Sequence, residues 1–113
     1  MQLVDKIAMN DLQIMSEKMS EPLVRGVVDI NKQLLVLDVE MHIDGEQFLL
    51  ERGSAQSDLW GINLWPEHYG TVDFVEFDSM INIRPWQNNR TRSVDDQELR
   101  ETIITIVMEK VYE

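Results

Sequence analysis

The chain contains no cysteine, which excludes a disulfide scaffold, a thiolate metal site and a cysteine nucleophile. It has only five glycines, dispersed along its length, so no glycine-rich phosphate loop is present and no cofactor is expected. No run approaches the roughly 20 apolar residues that a membrane span needs, and membrane association is not expected. Basic residues are scarce, 10 against 21 acids for a net charge of −11. That balance argues against general nucleic-acid binding, which Lys and Arg drive by displacing counterions from phosphates. The opening stretch MQLVDKIAMNDL carries no basic-then-apolar signal, so a cytoplasmic location is expected.

What is present fits one domain. The 113 residues show no repeat, low-complexity tract or linker-like run, and this length suffices for one core without staples. Asn10 to Met19 reads as a helix, with Asn10 and Gln13 as a capping box and Leu12, Met15 and Met19 on one face. Residues 2–7 fit either an extension of that helix or a short strand. Leu23–Ile30 and Gln33–Ile43 are strand-like and separated by the polar Asn31-Lys32, as in a hairpin. In the second of these, Leu35, Leu37, Val39, Met41 and Ile43 alternate with Asp38, Glu40 and His42.

Asp44 to Arg52 forms a short helix, capped by Asp44 and stopped by Gly53. Leu59–Trp65 and Asp73–Ile83 are the third and fourth strands. The final helix is the clearest element. Asp95 and Glu98 make a capping box, Val94 and Leu99 a hydrophobic staple, and Ile103, Ile106, Val107 and Val111 follow at helical spacing. The order is α-β-β-α-β-β-α, which predicts an α+β two-layer sandwich: a mainly antiparallel sheet of about four strands with amphipathic helices on one face. The other face is left wet or open to a partner.

Three constellations could carry chemistry. Residues 84–92 (RPWQNNRTR) hold three of the ten basic residues and no acid. Arg84, Arg90 and Arg92, with Asn88 and Asn89, could make a pocket of donors for a carboxylate or phosphate, next to the positive end of the last helix. The plainer alternative is that these arginines pair with the chain's own carboxylates and pin the loop. Trp86, after Pro85, is the tryptophan placed for exposure and contact. On the fourth strand, alternation puts Glu76, Asp78, Asn82 and Arg84 on one side, with Asn63 on the neighbouring strand beside Gly61, where another group can approach closely. Glu76 and Asp78 could bind magnesium or act as an acid–base pair; any half-solvated strand also produces that spacing. His42-x-Asp44-x-Glu46 would be a metal set on an extended strand, but the helix beginning at Asp44 scatters it, and no metal is assigned. No catalytic signature is complete.

The runs ERGSAQSDLWGINLWP, VEFDSMINIRP and NRTRSVDD, in this order, resemble a family of small bacterial proteins known as a domain of unknown function. The resemblance spans about Leu23 to Val107, and LWGIN (Leu59–Asn63) and EFDSMINIRP (Glu76–Pro85) are its most distinctive parts. The family pattern has a glycine where this chain has Asn88 or Asn89, and a proline where it has Gln97. Asparagine tolerates a left-handed conformation at modest cost. Losing the proline removes only a favourable first-turn residue. The resemblance implies a bacterial, cytoplasmic protein and assigns no activity.

Three functions are therefore open. The first is a small binding module whose Arg/Asn-rich loop holds a small anionic ligand or an acidic protein partner. The second is a magnesium-assisted enzyme acting on a phosphate- or carboxylate-bearing substrate, with Glu76 and Asp78 as ligands or base and Arg84 and Arg90 as the clamp. The third is a homodimer or other homo-oligomer paired through an uncovered sheet edge.

Overall fold

A computed structural model describes all residues, 1–113. Residues 2–7 resolve as strand: β1 (Gln2–Val4) and β2 (Ile7–Ala8) lead directly into α1 (Met9–Ser16). There follow β3 (Val24–Asp29), β4 (Leu34–Leu37), α2 (His42–Leu50), β5 (Leu59–Leu64), β6 (Val75–Glu76), α3 (Gln97–Lys110) and β7 (Val111–Tyr112). The fold is α+β. Its main sheet has five strands in the order β1-β4-β3-β5-β6, antiparallel at every pairing, and β2 pairs with β7 in a small parallel ribbon. No helix is long and apolar enough to cross a membrane.

The β3–β4 hairpin forms where the polar break predicts. Asp29, wholly buried, accepts the backbone N–H groups of Asn31 and Lys32 at 2.9 Å each, and Gln33 turns the chain at φ 56°. In β3, Val24 and Val28 face one side, where they meet Leu35, Leu37, Trp60, Ile62 and Leu64 of the adjoining strands. Leu12 and Met15 of α1 and Ile103, Ile106 and Val107 of α3 close over this face. Each such fully buried aliphatic side chain contributes roughly 2 kcal/mol relative to exposure.

The short helix does not join them. Leu49 of α2 packs against Val27, Val36, Val39 and Leu59, on the opposite face. The sheet is thus sandwiched, α1 and α3 on one side and α2 on the other, rather than bare on its second face. Gly45 permits this packing, since a Cβ there would meet Val27 Cγ2 at 2.8 Å.

Several boundaries differ from the periodicity. α1 begins at Met9, with no side-chain cap, because strand β2 runs straight into it; Asn10 lies inside the first turn. The predicted strand Gln33–Ile43 ends at Leu37, where Asp38 adopts φ 59° and redirects the chain. Met41 and Ile43, placed in the core by alternation, consequently lie on the surface. Asp44 does cap α2, but from within the helix: its carboxylate accepts the Met41 N–H at 3.2 Å. Gly53, at φ 94°, stops the helix as predicted. Asp96, not Asp95, is the N-cap of α3, accepting the Glu98 N–H at 3.1 Å.

The largest departure is Asp73–Ile83, where only Val75–Glu76 is strand. Beyond it a side chain replaces the ladder. Asn82 Oδ1 accepts the Gly61 N–H at 2.8 Å, and Asn82 Nδ2 donates to the Gly61 carbonyl at 3.0 Å. Both backbone groups of Gly61 are satisfied without a paired strand, and residues 80–82 coil into a 3₁₀ turn.

Candidate functional site

The second face of the sheet divides in two. Its apolar half, around Val27, Val36 and Leu59, lies under α2. Its polar half carries Arg25, Asn63 and Glu76 at successive cross-strand positions, Arg25 opposite Asn63 and Asn63 opposite Glu76. This half remains open. It forms the floor of a cleft of about 720 Å³, bounded by the first turn of α2 and by the segment from Asp78 to Arg92. A cavity of that size is in the range used for small ligands.

Eight of the residues singled out for chemistry meet here: His42, Glu46, Asn63, Glu76, Asp78, Arg84, Trp86 and Arg92 line the cleft. Asn63 Nδ2 donates to Glu76 Oε1 at 2.8 Å and to the Asp78 carbonyl at 3.3 Å, tying the floor to the wall. Arg92 Nε pairs with Asp78 Oδ1 at 2.6 Å. His42 Nε2 lies 2.9 Å from the Ile62 carbonyl, so that nitrogen carries the donated proton. Burial lowers the His42 pKa below its ordinary value, opposed by the Ile62 and Asn63 contacts, so the imidazole is neutral at pH 7.

The others lie outside the lining. Asn82 is consumed by Gly61. Asn88 takes the left-handed conformation, φ 61°, which asparagine adopts at modest cost. Asn89 organises the loop: Nδ2 donates to the carbonyls of Asn82 and Ser93 at 2.7 Å each, and Oδ1 accepts the Asp95 N–H at 2.8 Å. The Arg90 N–H is held by the Asp95 carboxylate at 3.1 Å, while its side chain is exposed away from the cleft. The three loop arginines therefore do not converge.

Arg84 is the largest fully buried side chain, 1% exposed. Its guanidinium donates to the carbonyls of Gln56 and Leu59 and lies 4.0 Å above the Trp60 ring. Opposite it stands Glu46, 7% exposed, from the middle of α2. Burial raises the Glu46 pKa, opposed by the Arg84 charge and by Gln56. Burial likewise lowers that of Arg84, opposed by Glu46. The two feel each other's charge, yet no ion pair within 4.0 Å joins them. Each keeps a buried atom without a partner, Glu46 Oε2 and Arg84 Nε, and Asn63 Oδ1 is a third; three of the chain's five such atoms therefore belong to cleft residues. Buried polar groups without partners are uncommon, and their concentration in one cleft marks it.

The cleft wall includes Ser79, 1% exposed, packed on Gly61: a Cβ on Gly61 would lie 2.5 Å from Ser79 Oγ and 3.2 Å from His42 Cδ2. The close approach that Gly61 allows is thus made by the chain's own Ser79. The rim adds three apolar residues that sequence reasoning missed, Met41, Ile43 and Met80, beside the expected Trp86. Met41, Ile43, Met80 and Trp86 all border the cleft and are 61%, 58%, 66% and 72% exposed. Arg25 was also missed; its isolation as the one basic residue within LVRGVVDI was the available signal. No group of three His, Asp or Glu residues is placed to hold a metal ion.

A small antiparallel sheet with helices on both faces and one polar, apolar-rimmed cleft defines the class. The chain belongs to the family of proteins of unknown function DUF5674, whose model matches residues 2–110. No curated protein and no solved structure matches it.

Proposed function

We propose that this chain is a small cytoplasmic binding module, without chemistry of its own, whose ligand occupies the cleft on the second face of the sheet. The observation that carries this reading is the rim: four large apolar side chains stand exposed around a polar floor. Exposed apolar surface gathered around a concavity is the signature of a contact site, whereas scattered exposure is ordinary. The Arg/Asn-rich loop supplies one wall, through Arg84, Trp86 and Arg92, rather than a pocket of its own. An anionic ligand would draw on Arg25, which has no carboxylate partner, and on Arg92, already paired with Asp78.

Fragment binding followed by amide correlation spectra tests the reading. Neutral aromatic and aliphatic fragments should perturb the amides of residues 41–43 and 79–81 and those of Arg84 and Trp86. Perturbations mapping elsewhere, or none across the panel, would overturn it. A homodimer would use a different surface, the exposed β1 edge with Leu3; light scattering across a concentration series detects it.

A further inference from the structure

The lining of the cleft also specifies a ligand class, an inference that rests on the binding reading above. We propose that the cleft takes a short basic, apolar segment of a partner protein. Its apolar side chains lie on Met80 and Trp86, and its lysine or arginine side chains turn toward Glu40, Glu46 and Glu76.

Charge carries the argument. Five carboxylates line the cleft against three guanidinium groups. Two of those three are engaged: Arg92 with Asp78, and Arg84 with two backbone carbonyls while it faces Glu46. The third, Arg25, donates to the Glu40 carbonyl at 3.0 Å. The side chains of Glu21 and Glu40 are in no ion pair, and Glu76 holds only the Asn63 amide. A carboxylate ligand would enter a surplus of negative charge; a cation is attracted to it. The net charge of −11 extends that preference beyond the cleft and steers basic partners toward it.

Two details strengthen the match. Glu46 Oε2 is buried without a hydrogen-bond donor, and an ammonium or guanidinium group has donors only. At the mouth, Trp86 presents a ring on which a cationic head can stack. The two rim methionines add flexible, polarizable surface that adapts to different apolar side chains.

Three labelled synthetic peptides test the inference. They share the same leucine and phenylalanine positions and carry lysine, glutamine or glutamate at the remaining ones; binding is read by fluorescence anisotropy at low and high salt. The lysine peptide should bind roughly tenfold tighter than the glutamine peptide, and salt should shrink that advantage. The double variant Glu21→Lys with Glu40→Lys alters two exposed side chains and should remove the advantage with the melting temperature unchanged. Met80→Ala should weaken every peptide. Equal binding of lysine and glutamine peptides, weakened by Met80→Ala, would overturn the charge preference and leave the cleft reading standing. Tightest binding of the glutamate peptide would overturn it in favour of an anionic partner. Lysine-peptide binding indifferent to Met80→Ala would reduce it to attraction by the acidic surface at large. If no peptide binds, the inference fails, while the fragment spectra judge the cleft separately.

Discussion

The two faces of the sheet are built to different ends. On the face under α1 and α3, Val24, Val28, Leu35, Leu37, Ile62 and Leu64 are all nearly or wholly buried, and two helices press on them. On the other face one short helix covers Val27, Val36 and Leu59 and stops, leaving Arg25, Asn63 and Glu76 as the floor of a cleft. The first face is filled with apolar groups packed on one another, and among its strand residues only Trp60 Nε1 is a buried polar atom without a partner. The second holds buried atoms that lack partners, beside apolar side chains that lack cover. A domain this small has little stability to spare, and the contrast is what the proposed binding function rests on.

Substitutions can break or sharpen that contrast. The largest effect should come from Ile103→Ala in the centre of α3, which opens a cavity in the filled face and should cost about 3–4 kcal/mol in denaturant unfolding. A loss under 1 kcal/mol would mean that the filled face is looser than described. Arg84→Ala should cost about 3 kcal/mol, because it strands two carbonyls and leaves Glu46 without its nearby positive charge. Arg84→Lys should restore little, since an ammonium lacks the planar fork that reaches both carbonyls and lies on Trp60. Asn82→Ala should cost about 2 kcal/mol by leaving the Gly61 N–H and carbonyl unpaired. Hydrogen exchange should show the loss first at Gly61.

The Glu46 test is smaller and depends on pH. Its folded pKa is raised by burial, so its contribution to stability is present below the ordinary value of 4.5 and lost as pH rises through the folded value. Glu46→Gln should therefore gain stability relative to the natural chain as pH climbs from 4.5 toward neutrality, read from paired melting curves. A constant difference across that range would show that Glu46 is not desolvated.

How far the sequence reaches follows the same divide. α3 and the strand character of β3, β4 and β5 were legible, because caps and short apolar runs are local signals and the filled face rewards them. The fourth strand was not. The pairing of Asn82 with Gly61 spans 21 residues and has no period, so EFDSMINI reads as strand until its asparagine is seen doing a strand's work. Met41 and Ile43 were misplaced for a similar reason: a single residue at positive φ, Asp38, converts a continued alternation into a helix approach. The polar residues of the cleft were largely identified, since charge and amide groups stand out against apolar strands. Their arrangement was not, because Arg84, Arg90 and Arg92 are adjacent in sequence yet point to a buried brace, an exposed surface and a cleft wall.

The central claim is that the open half of the second face serves binding rather than stability. The double variant Met80→Ala with Trp86→Ala tests it most directly, since both side chains are exposed and neither donates a side-chain hydrogen bond within the chain. The account predicts a stability within about 0.5 kcal/mol of the natural chain, together with loss of fragment-induced perturbations at residues 41–43 and 79–81. A marked fall in stability, or fragment binding that persists unchanged, would contradict it.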